Sequence, residues 1–265
     1  MTRVLVIGNS HAATLRRAFP EVQAAHPGLS LTFWGLPGAA FDKASSGPDG
    51  RLRPDPTDRT SRRKVDQWND AAEADLTTPD HIFLVGLRFG LREALRLARQ
   101  LQPLDLGRRA GSIGVSDSFL RAALHATIAT SLAAVAARIA LDPRFVLMPA
   151  PYPATLALDP QSGCFEPITA ATADLAHAPT LMALFEAELA QVCAARGLRL
   201  VLQPRSTLAG PLQTANRHLD DATRDARHMD TRFGRLACDA LLAAVGQTSA
   251  ASPLHHGEQN HALGS

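Results

Sequence analysis

A chain of 265 residues has room for one sizeable hydrophobic core, or at most two small ones. Its 46% hydrophobic and 20% charged content is that of an ordinary globular protein, and a formal net charge of +2 excludes an overall electrostatic pull toward nucleic acid or acidic surfaces. Three cysteines, Cys164, Cys193 and Cys238, an odd number without CxxC spacing, suggest neither a disulfide framework nor a zinc site, and fit a reducing compartment.

The opening MTRVLVIG enters an apolar run with no basic n-region, long h-region or small-residue cleavage site, so a cytoplasmic protein is expected. Residues 3–8 are the first of four short apolar runs bounded by turn or breaker residues; the others are 81–86, 144–149 and 199–204. Each is too short for a helix and has the character of a buried parallel strand. Residues 29–35 alternate and make a fifth strand. Helical patterns cover 12–25, 91–101, 116–141, 170–196 and 231–245. The longest apolar stretch, 122–141, is broken by His125 and Arg138 and rich in alanine, which predicts a core helix and no membrane span. Along that helix Phe119, Ala122, Ala126, Ala129, Leu132, Ala133, Ala136 and Ile139 recur at three- and four-residue spacing, a stripe expected to face a sheet.

Residues 45–64 are polar, rich in Pro and Gly, and end in Arg59, Arg62, Arg63 and Lys64. Without interleaved aromatics, and with Asp49, Asp55 and Asp58 nearby, they read as a solvated insertion loop with no nucleic-acid role. Residues 247–265 lack apolar periodicity and read as a disordered tail; its His255, His256, His261 and Glu258 have no preorganised geometry, and no metal is predicted. Residues 1–246 then form one domain. Strand and helix alternate throughout, so the predicted class is α/β, a parallel sheet with helices on both faces and right-handed crossovers. Ligands of such sheets bind at the carboxyl ends of the strands.

After the first strand comes GNSHAATL, with neither GxGxxG nor GxxxxGK[ST], so a nucleotide or dinucleotide cofactor is not expected. Ser10 has two readings. It is the N-cap of the next helix, or it is a nucleophile whose hydroxyl enters the cleft while its backbone N–H, at a helix N-terminus, faces an oxyanion. At the other end of the chain, Asp225 and His228 stand three residues apart, a spacing that lets a carboxylate orient an imidazole. Asp230 or Thr231 caps the final helix, with Phe233 and Gly234 packing its first turn. His218 is a rival base without an acid at that spacing. His11 reads as loop packing, Cys164 as a loop thiol, and Tyr152, in the proline-rich segment after the fourth strand, as a cleft wall that touches substrate or packs.

These blocks resemble those of the SGNH (GDSL-type) hydrolase superfamily. The family's GDS block is similar to Gly8-Asn9-Ser10, its last block to Asp225–His228 with the following HMDTRFG, and its second-block glycine to Gly38 in GLPGAAF. The resemblance implies a three-layer α/β/α fold with a flavodoxin-like five-stranded parallel sheet and a Ser10–His228–Asp225 triad. It also implies an oxyanion held by the N–H groups of Ser10 and Gly38, no cofactor, and an O-acyl ester substrate, a small molecule or an acylated carbohydrate. The third block departs: Gly86-Leu87-Arg88 places Arg88 where the family has Asn. Three accounts stay open, with Arg88 as oxyanion donor, as ligand for an acidic substrate group, or as the mark of a lost activity. The last makes the chain a non-catalytic domain for an anionic or carbohydrate ligand.

Overall fold

The computed structural model describes residues 1–104, 111–173, 176–220 and 225–246. Five strands form the main sheet: β1 Thr2–Gly8, β2 Leu29–Gly35, β3 His81–Leu87, β4 Phe145–Pro149 and β5 Arg199–Leu200. Their spatial order is β5-β4-β3-β1-β2, and every neighbouring pair is parallel. The expected flavodoxin-like sheet is therefore present. Its strand order reverses between β1 and β3, and that crevice is where open α/β sheets bind ligands.

Because successive strand residues point to opposite faces, each strand feeds two cores. Leu5, Ile7, Ile82, Leu84, Phe145 and Leu147 pack on one side, and Val4, Val6, Phe83, Val85, Val146 and Met148 on the other. Helices α1 (Ala12–Ala25) and α7 (Thr231–Ala243) cover the second face. They approach closely at Gly234, where a Cβ would lie 2.3 Å from the Thr14 carbonyl oxygen. Asp230 caps α7 by accepting from the Phe233 N–H at 2.8 Å. Helices α3 (Leu91–Gln100), α4 (Asp117–Ala136) and α6 (Ala178–Ala194) cover the first face, and a short α5 (Pro167–Ala173) packs against α3.

Four expectations need correction. The insertion 45–64 is structured: Ser45–Ser46, Arg51–Arg53 and Ala74–Asp75 form a small antiparallel sheet, and α2 runs Arg59–Trp68. Asp58 caps α2 by accepting from the N–H groups of Thr60 and Ser61, and Val65 and Leu52 bury against Trp34 and Phe41. Asp49 and Asp58 pair with Arg53 and Lys43, so they do not neutralise the basic run. The helix expected over 170–196 is two helices, because Pro179 has no N–H to give a helix interior and sits in the first turn of α6. The fifth strand is short: past Val201, Gln203 turns its side chain to the Tyr152 N–H and to Thr207 and Thr214. The stripe of α4 has the right period, and Leu132 and Ile139 are buried as expected, but the rest of it is out of phase. Leu120, Leu124, Ile128, Leu132 and Val135 are buried while Phe119 is 55% exposed. Four leucine and isoleucine side chains and one valine remove far more apolar surface from water than a row of alanines, and that difference sets the helix's rotation. Residues 247–265, read as a tail, lie outside the described residues.

The phase of α4 predicts an asymmetry. Ile128→Ala should cost roughly 2–5 kcal/mol in urea unfolding, whereas Phe119→Ala should stay within about 0.5 kcal/mol of the parent. Equal losses would contradict the packing described.

Candidate active site

The crevice between β1 and β3 is built by one side chain. Asn9, directly after β1, donates from Nδ2 to the Gly86 carbonyl oxygen at 2.6 Å and accepts from the His11 N–H at 3.1 Å through Oδ1. Gly86 has φ +92°, and a Cβ there would lie 2.3 Å from Asn9 Oδ1, so only glycine serves. Asn9 thus holds the loop, and its amide is committed.

Ser10 caps nothing. The N-cap position of α1 is His11, without a side-chain cap, and Ser10 Oγ makes no hydrogen bond among the described residues. The N–H groups of His11, Ala12, Ala13 and Thr14 are all accepted, by Asn9 Oδ1 and by the carbonyls of Asn9, Ser10 and His11. That leaves the Ser10 N–H at the helix start without a partner among the described residues. A second turn repeats the pattern: Ala40 and Phe41 donate to the Pro37 carbonyl, and the Gly38 and Ala39 N–H groups have no backbone partner among the described residues. This turn is held from outside the sheet by Arg138, whose guanidinium donates to the carbonyls of Phe41 at 2.9 Å and Ala44 at 2.8 Å. Asn69 pairs with both backbone groups of Gly35 at 2.7 and 2.9 Å. Sequence reading missed the roles of Asn69 and Arg138, since each acts across more than thirty residues of chain.

His228 faces the same cleft. Its Nδ1 meets Asp225 Oδ2 at 2.7 Å, and Asp225 Oδ1 accepts from the N–H groups of Arg227 and His228 at 2.7 and 3.0 Å. Partial burial of Asp225 raises its pKa, but these hydrogen bonds outweigh it and hold the carboxyl below the usual range. The ring of His11 stacks on His228 with centroids 5.3 Å apart and planes 26° from parallel. Buried, with Nδ1 unpartnered among the described residues, His11 has its pKa lowered to about 3, first by desolvation and then by the charges of His228 and Arg88, so it is neutral. The loop-packing role expected of His11 is this stacking.

Ser10, Gly38, Arg88 and His228 line one cleft of about 880 Å³, and Asp225 backs His228. The structure brings the five sequence-predicted residues together, but no hydrogen bond joins Ser10 to His228 among the described residues. Arg88 is exposed, with no hydrogen bond or ion pair from its guanidinium among the described residues. His218 lines a different depression, beside Glu21 and Arg235, with Nδ1 4.0 Å from Asp230, and is no rival. Tyr152 is buried and donates to Glu186 at 3.1 Å; it packs. Among the described residues no three His, Cys, Asp or Glu side chains cluster to hold a metal.

No protein family described by sequence and no curated protein matches the chain. Solved structures similar to it include a GDSL-like lipase from Bacteroides thetaiotaomicron (14% identity, TM-score 0.38, covering 92% of this chain and 87% of that one). An extracellular lipase from Streptomyces rimosus is similar at 12% identity and a TM-score of 0.41, over 94% of this chain and 100% of that one. A DUF4886 family protein from Bacteroides uniformis is similar at 13% identity and a TM-score of 0.39, over 96% and 88%.

The buried neutral His11 predicts a pH dependence. With a pKa of about 3 folded and an ordinary 6.5 unfolded, only the unfolded chain binds this proton between those values. Stability therefore falls as pH drops below 6.5, by up to about 1.4 kcal/mol per pH unit from this group. In urea titrations from pH 7 to 4.5, His11→Phe should show a shallower decline than the parent; identical slopes would contradict the assignment.

Proposed function

We propose that the protein is a serine esterase or acyl-transfer enzyme of SGNH type, acting through Ser10, His228 and Asp225 on an O-acyl ester. The observation that carries this reading is the uncommitted state of Ser10: its hydroxyl and its N–H both lack partners among the described residues, in a cleft that also presents a carboxylate-held imidazole. A serine kept for capping would have spent its hydroxyl on the helix.

In the proposed reaction, His228 Nε2 takes the hydroxyl proton as Ser10 Oγ bonds to the ester carbonyl carbon. The carbonyl π electrons move to oxygen, which is held by the N–H groups of Ser10 and Gly38. Asp225 keeps the proton on Nδ1 and stabilises the imidazolium. Collapse of the tetrahedral adduct breaks the C–O bond, and His228 returns the proton to the departing alcohol. Water, or a second alcohol, repeats the sequence on the acyl-enzyme and restores Ser10. A hydrogen bond between Ser10 and His228 that closes only with substrate in place is ordinary for such sites.

The competing reading, a non-catalytic domain for an anionic or carbohydrate ligand, uses the same cleft without needing Asp225 and His228 to stay bonded. With 4-nitrophenyl acetate, Ser10→Ala and His228→Ala should each lower kcat/KM by at least about 10³-fold, and Asp225→Asn by about 10²- to 10⁴-fold. Turnover by the parent no faster than by Ser10→Ala would overturn the enzymatic reading.

A further inference from the structure

A second groove of about 410 Å³ opens beside the Ser10 cleft, and the two share Arg88, Arg92 and Arg227. Its walls are otherwise largely apolar, with Leu91 and Leu95 from α3 facing Pro151 and Ile168. Phe165 on its rim is 39% exposed, a large apolar side chain left in water.

Three guanidiniums meet at this junction; Glu166 lies on the groove side, and Asp42 and Glu93 line the Ser10 cleft. Arg227 meets Glu166 at 3.6 Å, while the side chains of Arg88 and Arg92 have no hydrogen bond or ion pair among the described residues. Guanidinium groups stay charged at any working pH, so their mutual repulsion is relieved only by an anion or by solvent. The backbone that carries Arg88 is fixed by the turn that follows it. The Leu91 N–H donates to its carbonyl at 2.9 Å, and the next two residues are left-handed: Phe89, buried, at φ +43°, and Gly90 at φ +83°. A non-glycine residue in that region costs of order 1–3 kcal/mol, and such strain gathers at ligand clamps.

Taking the Ser10 cleft as an ester-cleaving site, we propose that its substrate carries an acid group, a carboxylate or phosphate, on an apolar stem. The acid lies against Arg88 and Arg92, the stem lies along Leu91, Leu95, Pro151 and Ile168, and the ester reaches Ser10. Planar guanidiniums match the two oxygens of such acids, and the apolar walls add affinity that a free inorganic anion cannot gain. Arg88 then stands where it does as a specificity residue.

The test reads binding without chemistry, so that its failure is separate from a failure of the esterase reading. 4-Phenylbutyrate, 4-phenylbutylphosphonate and the neutral 4-phenylbutanol are titrated calorimetrically into the native protein and into Arg88→Gln/Arg92→Gln, at low and at 0.5 M salt. The expected result is that at least one acid binds ten-fold or more tighter than the alcohol at low salt, the preferred acid naming the group. The preference should shrink with salt and vanish in the double variant, whose circular dichroism should match the parent because both residues are exposed. Equal affinity for acids and alcohol, or a preference that survives the double substitution, would overturn the proposal.

Discussion

The geometry of the cleft depends on the two hydrogen bonds of the Asn9 side chain. One amide spans the point where the sheet's strand order reverses, tying the end of β1 to the end of β3 through Gly86 and fixing the His11 N–H on its own strand side. Three groups of the cleft are placed from those two strand ends. Ser10 follows Asn9 directly, His11 is held so that its ring lies on His228, and Arg88 stands two residues past Gly86. The left-handed glycine is the counterpart of this bond, since a side chain there would occupy the space of the Asn9 amide.

The charges around the cleft are arranged in two shells of opposite character. Behind the imidazole, Asp225 stays ionised because three N–H groups bond to it, and neutral His11 offers a stacking face without a competing proton. In front, Arg88, Arg92 and Arg227 line the entrance together with Glu166, Asp42 and Glu93. The small sheet and α2 support this frame from the β2 edge, with Asn69 fastening Gly35 just ahead of the Gly38 turn.

Much of this was legible in the sequence because the signals were local. Short apolar runs bounded by breakers marked the strands, and the Asp225–His228 spacing marked an acid and a base on one turn. What escaped was set by tertiary partners. The rotation of α4 depended on the volume of its leucines against its alanines, and α2 hid in a segment whose polarity suggested a loop although Asp58 and Val65 supply a cap and an anchor. That the Ser10 side chain does not cap α1 could not be read from Ser10 itself. It turned on Asn9 and three backbone carbonyls taking the helix N–H groups, a pattern that needs coordinates.

The central claim, that Ser10 is an activated nucleophile, is tested most directly by treating the native protein, Ser10→Ala and His228→Ala with a fluorophosphonate and locating the adduct by mass spectrometry. The account predicts one phosphonyl group on Ser10 of the native chain, absent from Ser10→Ala and strongly reduced in His228→Ala. A native protein left unlabelled at concentrations that saturate an ordinary serine esterase, or labelled elsewhere, would contradict it.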